Sequence, residues 1–231
     1  MKVGIIGSGV VGQTLGAKLI ELGHDVVLGT RDPKKMDEKK NMAVTLNEWL
    51  ASVKNPSSAS GQGKGKVASF KEAAVHGEVL ISATHGQNSI DALKLAEADK
   101  CGGKILMETG NELDFSKGMP PGTLAAQDHC LAENIQKAFP NLKVVKAFNM
   151  MSAPLMVNPK MLKGGDHTFL ICGNDPAAKS QVTEILKSFG WTDVLDLGDI
   201  AAARGCEMYL GLWIRLWGSL QTPIVNIKVV R

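Results

Sequence analysis

The stretch VGIIGSGVVGQTLG, residues 3 to 16, decides the fold. An apolar run comes first, apolar residues at helical spacing follow, and Gly7, Gly9 and Gly12 form GxGxxG between them. The pattern is weak alone and strong where it leaves a strand and opens a helix. Gly7 permits a tight turn, Gly9 lets the backbone approach a pyrophosphate, and Gly12 lets the helix pack close to the strand. The helix N-terminus offers unpaired N–H groups to the phosphates. The segment therefore predicts the first βα unit of a dinucleotide-binding fold.

Outward from it, short apolar runs alternate with helical patterns, the signature of βαβ units. Strands are expected at 2 to 6, 25 to 28, 66 to 69, 79 to 83, 104 to 108, 143 to 147, 168 to 172 and 193 to 197. That is an α/β chain with a Rossmann-type, doubly wound, mostly parallel sheet. Helix signals fit between the strands. Val11, Leu15, Leu19 and Leu22 share one stripe, with Gly23 placed for a left-handed C-terminal cap. Thr45 and Glu48 suit a capping box, and Asp175 with Pro176 suits an N-cap followed by proline at the first helical position. NPSSASGQGKGK at 55 to 66 reads as a loop, since its glycine spacing is wrong for a P-loop and no Ser or Thr follows its lysines. Residues 1 to 200 form the expected Rossmann domain, and 201 to 231 a helical C-terminal extension.

Composition narrows the function classes. The 231 residues carry 44% apolar and 21% charged side chains, with 26 basic against 23 acidic residues scattered along the chain. No basic block supports nucleic-acid or membrane-surface binding. Cys101, Cys130, Cys172 and Cys206 form no CxxC pair and no metal-ligand cluster, and read as four buried free thiols. With no signal-peptide pattern or membrane-length apolar run, the expected location is the cytoplasm.

The second strand addresses the choice of nicotinamide cofactor. An NAD-selecting carboxylate is expected about 20 residues past the last glycine of the motif. Thr30 and Asp32 both lie near that position. Thr30 is favoured, because strand period places it at the sheet's edge, while Asp32 precedes Pro33 and reads as a turn or cap residue. Thr30 and Arg31 then offer a hydroxyl and a guanidinium to a 2′-phosphate, with Lys34 or Lys35 in reach, which favours NADP(H). In the competing reading, Arg31 is a solvated loop residue and Asp32 selects NAD.

The order of motifs resembles the coenzyme F420-dependent NADP oxidoreductase family. GIIGSGVVG, LGTRDP, ICGND at 171 to 175 and LDLGDIAAARGCE at 195 to 207 carry the resemblance. VVKAFNMMSA at 144 to 153 is also similar to the NADPH-binding domain of the six-transmembrane metalloreductases. The resemblance implies NADP(H), a Rossmann domain and a C-terminal part that helps form a homodimer. By position it implies that Gly7, Ser8, Gly9, Val10, Val11 and Gly12 hold the pyrophosphate and that Thr30 and Arg31 hold the 2′-phosphate. Ala83, Thr84, His85 and Thr109 to Asn111 would border the nicotinamide-side ribose. The acceptor, F420 or a flavin, stays open, because the loops ATHGQNS at 83 to 89 and TGNELDFSKGMPPG at 109 to 122 depart from the family pattern.

Hydride transfer to a planar small-molecule acceptor needs two rings held together and no obligatory side-chain acid. His85, beside the expected nicotinamide site, is the candidate proton or hydrogen-bond donor. Two other classes compete: a dehydrogenase or reductase of a small hydroxy acid or imine, and a non-catalytic NADP-binding, redox-sensing module. The first would ordinarily add a large helical substrate domain. Leu210, Trp213, Ile214, Trp217 and Leu220 form a stripe on a C-terminal helix that either faces the core or builds a subunit interface roofing the acceptor site.

Overall fold

The computed structural model describes residues 1–38, 42–54 and 63–231. In chain order the elements are β1 (Lys2–Ile6), α1 (Val10–Glu21), β2 (Asp25–Thr30), α2 (Leu46–Lys54), β3 (Lys64–Ser69), α3 (Phe70–His76), β4 (Val79–Ser82), α4 (Ser89–Leu95) and β5 (Ile105–Glu108). There follow β6 (Leu113–Asp114), β7 (Gly122–Thr123), α5 (Leu131–Ala138), β8 (Lys143–Lys146), α6 (Ala153–Val157), β9 (Phe169–Gly173), α7 (Pro176–Ser188), β10 (Val194–Asp196) and α8 (Ala203–Leu220). Among the described residues, eight strands form one sheet in the order β3-β2-β1-β4-β5-β8-β9-β10. Neighbours are parallel except β8 and β9, so β9 and β10 run against the rest. The winding reverses between β1 and β4, and open α/β sheets bind ligands beyond the strand ends at such a reversal.

Strand alternation sorts the core into two layers. Val3, Ile5, Val26, Leu28, Val79, Ile81, Met107 and Val145 face α1, α2, α6 and α7. Their neighbours Ile6, Val27, Leu80, Leu106 and Val144 face α3, α4 and α5. Both faces are covered, which is why the strands read as continuous apolar runs.

Local capping follows the sequence signals. Gly23 adopts φ +86° and its N–H closes α1 on the Ile20 carbonyl. The Thr45–Glu48 box is reciprocal, with Thr45 N–H donating to Glu48 at 2.7 Å and Glu48 N–H donating to Thr45 Oγ1 at 3.1 Å. Asp175 accepts from Ala178 N–H at 2.8 Å ahead of Pro176. That hydrogen bond holds the Asp175 carboxyl below the usual carboxylate range, aided by Lys143.

Three expectations need correction. The loop over 55 to 66 falls mainly on 55 to 62, which lie outside the described residues, but Lys64, Gly65 and Lys66 belong to β3. They pair with Asp25, Val26 and Val27 as the sheet's edge, where alternating exposed lysines discourage further strand pairing. The stretch 109 to 122 is more than a loop, since β6 and β7 form a small antiparallel hairpin there. The C-terminal extension is helical only to Leu220. Beyond it a non-helical tail crosses the body: Thr168 N–H donates to the Ile227 carbonyl at 2.9 Å, and Trp213 Nε1 to the Val225 carbonyl at 3.2 Å.

Candidate functional site

At the winding reversal lies a cleft of about 360 Å³, lined from three directions. Gly7, Ser8 and Gly9 come from the β1–α1 turn, Thr30 and Arg31 from the end of β2, and Ala83, Thr84 and His85 from the end of β4. The glycines explain the turn. Gly7 adopts φ +128°, and a Cβ there would sit 2.3 Å from the Ala83 carbonyl. A Cβ on Gly12 would sit 2.0 Å from the Gly7 carbonyl, so α1 could not approach β1 as it does. A Cβ on Gly9 would meet nothing within 4 Å, so Gly9 borders open space on the cleft side.

The other expected site residues occupy different places. Val10 and Val11 form the first turn of α1 and pack partly on the core. Thr30 is buried, whereas Arg31 and Lys34 are exposed. Among the described residues Arg31 makes no ion pair, and it lines the cleft. Asp32 Oδ1 accepts from Lys34 N–H at 3.0 Å, an Asx-turn that occupies its carboxylate. His85 is exposed on the cleft wall. Its loop is held by Thr84 Oγ1 and Ser89 Oγ, 2.9 Å apart, and by Ser89 Oγ on the His85 carbonyl. Asn111 lies just outside the lining, with its carbonyl against Gly86.

The cleft also holds residues that the sequence reading passed over: Phe70, Asn88, Asp91 and Leu95. Phe70 opens α3 immediately after Ser69, which shares a complete capping box with Glu72. The SFKE pattern at 69 to 72 was the available signal. Asn88, Asp91 and Leu95 share one face at the start of α4 and within it, legible only once the cleft is known.

The geometry agrees with relatives. A family model described as NADP oxidoreductase, coenzyme F420-dependent, matches residues 2–112. A solved structure from Arthrobacter sp. FB24, named provisionally as an F420-dependent NADP-reductase, is 44% identical, covers 100% of both chains and superposes with a TM-score of 0.91. This chain belongs to the F420-dependent NADP oxidoreductase family. The F420-dependent NADP reductase of Methanocaldococcus jannaschii is 28% identical over 99% of this chain and 98% of its own. Metalloreductase STEAP3 of Rattus norvegicus is 32% identical over 96% of this chain, which spans 38% of that relative's length.

This member of the family also contains a buried charge network that the sequence did not announce. Lys146 is fully buried, and its ammonium donates to Glu108 Oε2 at 2.5 Å, the Gly110 carbonyl at 2.6 Å and Glu207 Oε1 at 2.8 Å. Glu108 Oε1 accepts from Gly110 N–H at 2.6 Å. Glu207 accepts from Leu131 N–H at 2.9 Å and Ala132 N–H at 3.1 Å, which caps the start of α5. Burial pushes the Glu108 carboxyl above its ordinary range, against the pull of Lys146. Burial also disfavours the charge on Lys146, but the two carboxylates outweigh it and hold the ammonium protonated. Strand register explains part of the meeting, because Ser82, Glu108 and Lys146 are paired neighbours across β4, β5 and β8.

Proposed function

We propose that this chain binds NADP(H) in the cleft beyond β1, β2 and β4 and passes hydride between the nicotinamide and a planar redox acceptor, F420, a flavin or a similar ring. The observation that carries the reading is the convergence of Gly7 to Gly9, Thr30 with Arg31, and Ala83 to His85 on one cleft. The residues fit the cofactor. Gly9 leaves free the space a phosphate needs, and the first N–H groups of α1, from Val10, Val11 and Gly12, lack helical carbonyl partners of their own. When bound, the nicotinamide supplies or accepts the hydride.

The chain's own groups then bind and orient. Thr30 and Arg31 recognise the 2′-phosphate, with Lys34 adding positive charge from the following turn. Thr84, His85 and Asn111 border the nicotinamide-side ribose, and His85 is placed to donate a hydrogen bond or a proton. The acceptor side is assigned to the extension at 201 to 231, and a homodimer completes it. This assignment is supported by the half of α8 that does not face the core, where Leu212 is 55% and Trp217 39% exposed. The four buried thiols suit a reducing, cytoplasmic setting. No helix of the described residues is long and apolar enough to cross a membrane.

The test is calorimetric titration with NADPH and NADH, followed by oxidation of bound NADPH with F420, FMN or a ferric chelate. A preference for NADPH together with turnover of F420 or FMN supports the reading. Equal binding of both nucleotides overturns the cofactor assignment. Tight NADPH binding with no oxidation by any of the three makes the chain a binding module.

A further inference from the structure

Three observations converge on the turn after β5. Gly110 is gripped at both of its main-chain groups, its N–H by Glu108 and its carbonyl by Lys146. The same ammonium continues to Glu207 on α8. A second tie runs alongside: Asn111 Nδ2 donates to the Asn149 carbonyl at 2.8 Å, while Asn149 Nδ2 donates to Asn111 Oδ1 at 3.0 Å and to the Cys206 carbonyl at 2.9 Å. Between Lys146 and Asn149 the backbone is strained, since Phe148 adopts φ 67°, which is an outlier for a bulky residue. Its ring is wedged between Phe169 and Phe189.

Stability alone does not account for this arrangement. Three charges are withdrawn from water, and apolar groups of similar size would serve the core as well or better. What charged and amide groups add is directional placement, fixed by hydrogen bonds whose partners are all present. The ammonium has three acceptors for its three hydrogens, and each oxygen of both carboxylates has a donor. A strained residue held by its surroundings marks the same spot.

We propose that Lys146, Glu108 and Glu207 are positioning residues that set the turn Thr109–Asn111 at a fixed distance from α8. The inference rests on the proposed function, in which that turn borders the nicotinamide side and α8 borders the acceptor. The network would then hold the two walls of the hydride-transfer site in register without touching either reactant.

The test replaces Glu207 by Gln, a change made on α8 and read at Gly110. Amide exchange is followed site by site in the NADPH-bound protein, together with the affinity for NADPH. Glu207→Gln should leave that affinity within about threefold of wild type. Exchange at Gly110 should accelerate by about tenfold or more. With whichever of F420, FMN or a ferric chelate the wild type reduces, kcat should fall about tenfold while KM changes little. A cap for α5 and nothing more would speed exchange only at Leu131 and Ala132, which overturns the proposal. So would faster exchange at Gly110 with wild-type kcat. Glu207→Asp, which keeps the charge but draws the carboxylate back from Lys146, gives the same readouts should the first variant not fold. A wild type that reduces none of the acceptors refutes the proposed function, and exchange at Gly110 still decides whether the network fixes the turn.

Discussion

Gly9 and Gly12 stand three residues apart in one motif, and the structure gives them opposite liabilities. A methyl group on Gly12 would collide with backbone, where nothing flexible can yield. Gly12→Ala should therefore lose about 1–3 kcal/mol of stability, seen as a lower Tm. A methyl group on Gly9 meets only open space, so Gly9→Ala should keep its Tm and lose about tenfold or more in NADPH affinity. Equal effects of the two changes would mean that Gly9 does not face the phosphates. Arg31 belongs to the same scale. Exposed on the cleft rim and outside any ion pair among the described residues, it can be removed without cost to the fold. Arg31→Ala should weaken NADPH binding by about tenfold, worth about 1.4 kcal/mol, and leave NADH binding unchanged in calorimetry.

Among the elements, the end of the tail at 222 to 231 gathers on one carboxylate. Asp193 accepts from Thr168 Oγ1 at 2.7 Å and pairs with Arg231 at 2.7 Å and Lys228 at 3.2 Å, while Thr168 Oγ1 accepts from Val229 N–H at 2.9 Å. The Thr168 hydroxyl, helped by the two cations, holds the Asp193 carboxyl down to about 2. Because the folded value lies below the unfolded one, the stabilisation is full above the ordinary aspartate range near about 4 and is lost as pH falls through about 2. Amide exchange at Thr168 and Val229 should rise over that window, and Asp193→Asn should raise it at neutral pH. Protection that persists in the variant would show that packing and the bonds of Thr168 and Trp213 to the tail hold it without the carboxylate. Elements of this kind differ in how far their sequences reveal them. The strands and helices of the sheet were legible because each carries its own periodicity and caps, as with Thr45–Glu48 and Asp175–Pro176. The tail was not, since its partners are distant and its backbone bonds to the residue before β9 and to a helix indole. Nor was the Lys146 network, whose members are 38 and 61 residues apart and meet only through strand register and the docking of α8. The cleft lies between these cases: its glycines and Arg31 were readable, while Phe70 and Asp91 belong to it only after folding.

At the scale of the whole molecule, α8 divides its apolar stripe. Leu210, Trp213 and Ile214 are buried against Val225 and the body, whereas Met208, Leu212, Trp217 and Leu220 face outward near the hairpin that exposes Phe115 and Met119. Exposed apolar area of this kind marks an interaction surface. With the homodimer proposed above, Leu212→Glu should convert a dimer to a monomer in light scattering while Tm changes little. A wild type that stays monomeric as concentration rises would remove the dimer from the reading.

The burial of all four thiols has a practical consequence. Burial pushes the Cys130 thiol up to about 12. A thiol reagent can therefore react only through opening of the molecule, and the labelling rate becomes a clock for that opening. The clock has two hands. Cys101 lies within the connection from α4 to β5, bonded to the Ala74 carbonyl, while Cys130 and Cys206 sit where α5 meets α8. Mass analysis after a short exposure would tell which seam parts first, and whether a bound nucleotide or an acceptor holds it shut.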